Sequence, residues 1–284
     1  MTLSTDELGF FAQHGYLVRR NAIPRDKLEL AELAIRELYR MQGDKIEYYR
    51  ADPARSGTMA QLLGAMEARD KEALYQVQKF FPQNQDIRAL YGPWILDVVW
   101  ELLGKNFSFT QLLVEGPGLF VSRPETERLL YKWHSEAHYY PKRRRFVNVW
   151  FPIFTARDTS NGSMSVLPRS HRREWQFSEY QGYDADTLGK KHHFVQYEIP
   201  EVELQEYLRE EQVFGLGRGD ALLFDRNLVH RSNMNHSSEY AYAMVARVWT
   251  PVHDLTLAGN MAVTPFGGDP GGRPGLVGSG YDAN

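Results

Sequence analysis

The chain has 284 residues, 43% of them hydrophobic, a formal charge of −3 and no cysteine. This suits one large domain with a substantial core; it excludes the basic excess of a general nucleic-acid binder and any disulfide, thiolate metal site or cysteine nucleophile. Met1 to Glu7 lack the basic-then-apolar run of a signal peptide, and no stretch approaches the ~18 apolar residues of a membrane span, so the expectation is a soluble cytoplasmic protein with neither a membrane nor a nucleic-acid partner.

Ser4 with Glu7 three residues on reads as a capping box opening a short helix through about Gln13, which Gly15 ends. Tyr16-Leu17-Val18 reads as a strand. Pro24 begins a second helix, whose Leu28, Ala31, Ile35, Leu38 and Met41 recur at three- and four-residue spacing and form one buried stripe. Residues 59–75 are again helical in pattern, and 87–103 predict a further amphipathic helix ended by Gly104.

From Phe107 the character changes. Short runs rich in β-branched and aromatic residues follow one another between Gly, Pro, Asn and Asp, at 107–111, 118–122, 146–154, 163–167, 194–199, 221–224 and 240–250. Asn161-Gly162, between two such runs, is a hairpin signal because both residues tolerate positive φ. Helices first and strands afterwards predict a mainly β, α+β chain: a sandwich or jelly roll braced by N-terminal helices. The domain is read as residues 1–264. The Gly- and Pro-rich stretch from Pro265 to Asn284 has too little apolar content to fold alone.

Chemistry concentrates in Trp133-His134-Ser135-Glu136 and, far downstream, Leu228-Val229-His230-Arg231-Ser232. Two imidazoles and one carboxylate form the facial triad of non-haem Fe(II) oxygenases, which leaves coordination positions open for a cosubstrate and O2. Singly, His134 and His230 would be ordinary histidines. Their joint placement, with a strand-rich interval between them, carries the signal.

Phe10 to Val18, then His134-Ser135-Glu136-Ala137-His138-Tyr139-Tyr140-Pro141, Val147-Asn148-Val149-Trp150, Asn161 to Pro168 and Ser170-His171-Arg172 resemble, in order and spacing, the phytanoyl-CoA dioxygenase-like Fe(II)/2-oxoglutarate oxygenases. The resemblance runs to about Trp249. It implies a double-stranded β-helix, with Fe(II), 2-oxoglutarate as cosubstrate and O2. It also implies a hydroxylase of an unactivated C–H bond in a small molecule. The catalytic metal ligands it implies are His134, Glu136 and His230. Glu136 is one methylene longer than the aspartate commoner at its position, and a carboxylate there argues against the related halogenases.

The family pairs the distal carboxylate of 2-oxoglutarate with an arginine on the strand after the second histidine, and alignment puts Ala241 there. In this departure Arg247, on the same strand face as Ala241, is the first substitute and Arg123 the second; each has the alternative of an ordinary structural arginine. Trp150 and Ser232 match positions that contact the cosubstrate, and Gln76 and Leu119 match weaker ones. His171 is read as a structural turn residue.

Pro141-Lys142-Arg143-Arg144-Arg145 is either a solvated loop face or an anion grip beside the site mouth. On the second reading Arg143 and Arg144, with His138 and Tyr140, meet a substrate that is anionic or carrier-linked. His138 is also an alternative metal ligand. Beside the leading reading stand an iron oxygenase with a different cosubstrate and a non-catalytic binding protein on the same fold.

Overall fold

In the computed structural model, which describes residues 2–45, 59–69, 76–126, 130–140, 145–181 and 195–253, the first helix is closed at both ends by its own sequence. For α1 (Thr5–His14), Ser4 Oγ accepts from the Glu7 amide at 3.1 Å while the Glu7 carboxylate accepts from the Ser4 amide at 2.9 Å. Two donors that a helix start leaves open are thereby satisfied. Gly15 ends the helix at φ 82°, and a Cβ there would stand 2.4 Å from His171 Nδ1, so both conformation and space require glycine. His171 is thus part of the packing at this corner.

Strand β1 (Tyr16–Arg19) leads to α2 (Arg25–Lys45), whose buried stripe is Leu28, Ala31, Ile35 and Tyr39. Leu38, expected in the stripe, packs against the same core partly buried, whereas Met41 does not join it. At 100° per residue Tyr39 lies within about 40° of Ile35 while Met41 falls about 120° away, and Met41 is 54% exposed. Helix α3 (Met59–Arg69) buries Met59, Leu62, Leu63 and Met66; the remainder of the expected helix, 70–75, lies outside the described residues.

The single helix expected over 87–103 is two: α4 (Gln85–Ala89), capped by Asn84, and α5 (Pro93–Leu102). Pro93 has no N–H to donate and its ring excludes a preceding helical turn, so the chain restarts at Gly92. The strand expected at 107–111 is a 3₁₀ turn, Phe109–Gln111, where the Ser108 and Gln111 side chains cap each other's backbone.

The remaining strands are β2 (Leu113–Ser122), β3 (Phe146–Ile153), β4 (Met164–Val166), β5 (Ser178–Gln181), β6 (Val195–Glu198), β7 (Gln212–Val213), β8 (Ala221–Asp225), β9 (His230–Ser232) and β10 (Ala241–Trp249). The eight-residue α6 (Glu201–Leu208), β5, β7 and β9 had no sequence-level expectation. Five strands form a sheet in the order β1-β8-β3-β10-β2, three form a second, β7-β4-β9, and β5 pairs with β6; all these pairings are antiparallel. The result is the mixed α+β arrangement expected. Among the described residues no helix is long and apolar enough to cross a membrane.

Alternation along the strands separates two interiors. Val147, Val149, Phe151 and Ile153 of β3 and Tyr242, Met244, Ala246 and Val248 of β10 pack with the N-terminal helices. Trp150, Leu222, Phe224, Ala243 and Val245 face the opposite way and join Met164 and Val166 of the second sheet. The candidate site lies on this side.

Asn161-Gly162 is not a hairpin. β3 pairs with β8 and β10 whereas β4 pairs with β7 and β9, so residues 154–163 carry the chain from one sheet to the other. Gly162 has φ 80°, and a Cβ there would come within 2.7 Å of the Asn233 carbonyl oxygen. Gly162→Ala is expected to cost about 2 kcal/mol or more through left-handed strain and this backbone clash, measured as a lower urea midpoint at unchanged m-value. A loss under about 0.5 kcal/mol would contradict the close approach.

Candidate metal centre

His134 and His230 meet through their backbones. His134 N–H donates to the His230 carbonyl at 3.0 Å and His230 N–H donates to the His134 carbonyl at 2.9 Å, an antiparallel bridge. A directly opposed pair sends both side chains to the same side, and the imidazole centroids stand 4.2 Å apart. Ser135 between His134 and Glu136 is extended, at φ −128° and ψ 154°, so Glu136 turns to that side as well. A 3₁₀ turn over Glu136–His138 then leads the chain away.

Hydrogen bonds set the tautomers. His134 Nδ1 lies 2.7 Å from the Lys132 carbonyl oxygen and His230 Nδ1 2.9 Å from that of Leu228. A carbonyl can only accept, so each Nδ1 carries the hydrogen and each Nε2 keeps its lone pair. Burial pushes the His134 imidazole below its ordinary value and takes His230 down to about 3, where the neighbouring His134 adds to the effect. Both rings are therefore neutral at neutral pH.

The Nε2 atoms of His134 and His230 stand 3.9 and 3.8 Å from Glu136 Oε1, and one ligand atom from each residue lies within 4.8 Å of the others. Adjacent donors on an octahedral ion are about 3 Å apart at bond lengths near 2.1 Å, so a bound ion draws these atoms inward by less than about 1 Å each. Two neutral imidazoles and a carboxylate on one side of a space fit an ion that keeps open positions.

The second oxygen of Glu136 is held by Arg247, whose Nε and Nη2 donate to Oε2 at 3.0 and 2.7 Å. Burial raises the Glu136 carboxyl, but the Arg247 charge, with the hydrogen bonds it donates, outweighs this and holds the group below its usual value. Arg247 also stands over the Tyr140 ring at 5.3 Å. It reaches the site expected of it, yet both of these hydrogen bonds go to a metal-site carboxylate.

The three residues border a cavity of about 180 Å³, several times the ~30 Å³ share of one water. Trp150, Ser232 and Tyr140 line it, as do Phe120, Tyr131, Tyr139, Gln196 and Arg157. Four other expectations meet different surroundings. Leu119 turns its side chain to the helix-side core, as its alternation with Phe120 requires. Gln78, two residues beyond Gln76, bonds both the amide and the carbonyl of Leu119, at 3.1 and 3.2 Å, and Gln76 is not among the cavity residues. Arg123 stands over the Tyr240 ring at 5.9 Å, away from the lining. His138 packs at a tilt against Phe177 and Tyr197, with ring centroids at 4.0 and 3.9 Å, outside the triad. Arg143 and Arg144 lie outside the described residues.

Arg157 and Gln196 carried no sequence signal. Arg157 precedes Asp158 in a polar turn and reads as surface, whereas it is 4% exposed.

Arg247→Met leaves Glu136 a buried carboxylate without its cation. The metal-free protein is expected to lose about 3 kcal/mol, measured by urea unfolding, with much of that recovered in the Arg247→Met/Glu136→Gln double variant. Equal losses in the two variants would contradict the pairing.

Residues 11–243 match the family model described as Phytanoyl-CoA dioxygenase (PhyH). A "Probable phytanoyl-CoA dioxygenase" from Caenorhabditis elegans is 24% identical over 249 residues, covering 85% of this chain and 74% of the relative. Among solved structures, EvdO2 from Micromonospora carbonacea var. aurantiaca complexed with 2-oxoglutarate matches with TM-score 0.55 at 15% identity, over 88% of this chain and 92% of that one. EctD from S. alaskensis with bound Fe matches with TM-score 0.58 at 17% identity, over 88% and 78%. At such identities the structural likeness speaks to the fold. The family match, spanning the segments that bring His134, Glu136 and His230 together, identifies the chain as a member of the phytanoyl-CoA dioxygenase family.

Proposed function

We propose that this protein is an Fe(II)- and 2-oxoglutarate-dependent dioxygenase that hydroxylates an unactivated C–H bond of a small molecule. The observation that carries the reading is the buried His134–Glu136–His230 group, two neutral imidazoles and one ionised carboxylate on the wall of a cavity. The relatives support it: EvdO2 is complexed with 2-oxoglutarate, and EctD is found with Fe and with 2-oxoglutarate and 5-hydroxyectoine. SnoN, a non-heme alpha ketoglutarate dependent epimerase, has a similar fold, so fold alone does not choose the reaction. With this reading goes a double-stranded β-helix, in which the five- and three-stranded sheets enclose the site from two sides.

His134, Glu136 and His230 would hold the ferrous ion. When bound, iron and 2-oxoglutarate supply the oxidising chemistry, coupling decarboxylation of the oxo acid to succinate and CO2 with transfer of oxygen from O2 to the substrate. The chain's own residues bind, orient and exclude water. Lys132 and Leu228 carbonyls fix the ring orientations. Arg247 holds one oxygen of Glu136 and leaves the other facing the histidines. Trp150 and Ser232 border the space where the cosubstrate would lie, and Phe120, Tyr131 and Tyr139 wall the cavity, so substrate positioning falls to apolar packing with few polar contacts.

Purified protein given Fe(II) and 2-oxoglutarate in air is expected to release succinate in an iron-dependent way. His134→Ala and His230→Ala should abolish both succinate release and ferrous-ion binding by calorimetry, whereas His138→Ala should retain binding. Full metal affinity in the triad variants would sink the assignment.

Arg143 and Arg144 belong to the same reading as contacts for an anionic or carrier-linked substrate. Neutralising both is expected to raise KM for the native substrate severalfold, less so at high salt where exposed charges are screened, with kcat little changed. Unchanged KM at low salt would return the run to plain solvated surface.

A further inference from the structure

Arg157 is a buried cation that faces the cavity with no ion-pair contact among the described residues. Its backbone is pinned in the β3–β4 crossover by two hydrogen bonds with Leu216, at 2.8 and 2.7 Å. The side chain, 4% exposed, lines the cavity with the histidine–glutamate group and stands over the Trp150 ring at 5.8 Å. Nη2 donates to Ser122 Oγ at 2.8 Å and to the Gly162 carbonyl. Nε and Nη1 have no hydrogen-bond partner among the described residues. The adjacent Asp158, whose Oδ1 accepts from Ser160 and Asn161 in an exposed turn, acts on it through space and makes no ion pair with it.

Leaving donors of a buried cation unpaired is costly, and the usual resolution is an anion. The cavity's other arginine, Arg247, is paired with Glu136, so those two charges cancel, whereas Arg157 has no contacting counter-ion among the described residues and feels Asp158 only through space. Burial takes its guanidinium down to about 10, which still leaves it charged at neutral pH.

Its position fits the gap left at Ala241. Ala241 lies opposite Ser122 in the β2–β10 register, and Ser122 is the hydroxyl that Arg157 grips. Along β10, Ala241 shares a face with Val245 and Arg247, both cavity residues. The guanidinium therefore arrives from the crossover beside a strand position whose own side chain is a methyl group.

We propose that Arg157 is the carboxylate anchor of this cavity, holding the distal carboxylate of the 2-oxo diacid. The proposal rests on the reading that 2-oxoglutarate is the cosubstrate, and it moves the anchor from strand β10 to the β3–β4 crossover.

The test uses the Fe(II)-loaded protein without oxygen, following the visible charge-transfer band of a 2-oxo acid chelated to iron. The two probes are 2-oxoglutarate and pyruvate, which has the same chelating end and no distal carboxylate. The native protein is expected to bind 2-oxoglutarate more tightly by roughly 10- to 100-fold. In Arg157→Gln that preference should collapse to within about threefold while pyruvate affinity stays near native. If Arg157→Gln does not fold, Arg157→Lys, which keeps the charge and loses the planar fork, should show an intermediate preference. A full native preference in either variant overturns the anchor, as does an equal loss of both acids, which marks Arg157 as structural. A native protein that binds iron but gives no band with either acid overturns the cosubstrate reading, and the anchor falls with it.

Discussion

Two backbone hydrogen bonds between His134 and His230 are the joint on which the site depends. Because opposed residues in an antiparallel pair point to one side, the bridge turns two distant histidines into neighbours without relying on their side chains. Alternation does the rest. Trp133 and Val229, one residue upstream of each, point the other way and pack with Leu167, Trp175, Ile199 and Leu204. The bridge is thus backed by its own apolar cluster, and the imidazoles have little freedom to turn outward. The pairing continues on both sides: Ser232 N–H donates to the Tyr131 carbonyl, and Val166 of β4 lies opposite His230. Tyr131 is in this way carried to the cavity wall by the same ladder that aligns the metal-site residues.

Within that frame the electrostatics are closely matched. A cavity of low dielectric makes every unpaired charge expensive and every paired one strong. Glu136 is ionised because the Arg247 charge and its hydrogen bonds outweigh the cost of burial, and the histidines are neutral because burial outweighs its negative charge. The division of labour on the carboxylate follows: Oε2 accepts from Arg247 and Oε1 faces the imidazoles.

Local signals match the structure at the Ser4–Glu7 box, at Gly15 and in the β-rich character beyond the helices. The helix expected over 87–103 overlooked Pro93, which was also local and legible. The supposed hairpin at Asn161-Gly162 was a different failure. A turn dipeptide specifies backbone curvature, but whether the strands it joins pair with each other depends on partners elsewhere, here β8 and β10 for one and β7 and β9 for the other.

The sequence by itself determined the chemistry on offer: two histidines and a carboxylate at family spacing, no cysteine, helices before strands, and an alanine where the family places an arginine. Tertiary structure decided which side chain answers which. Arg247 finds Glu136, 111 residues away in sequence, and Arg157 comes to face the cavity from a turn that reads as surface. Cations compete for a limited set of buried acceptors, and the outcome depends on sheet register and crossover path, which are set by contacts between segments far apart in the chain. No window of sequence contains both partners of those choices.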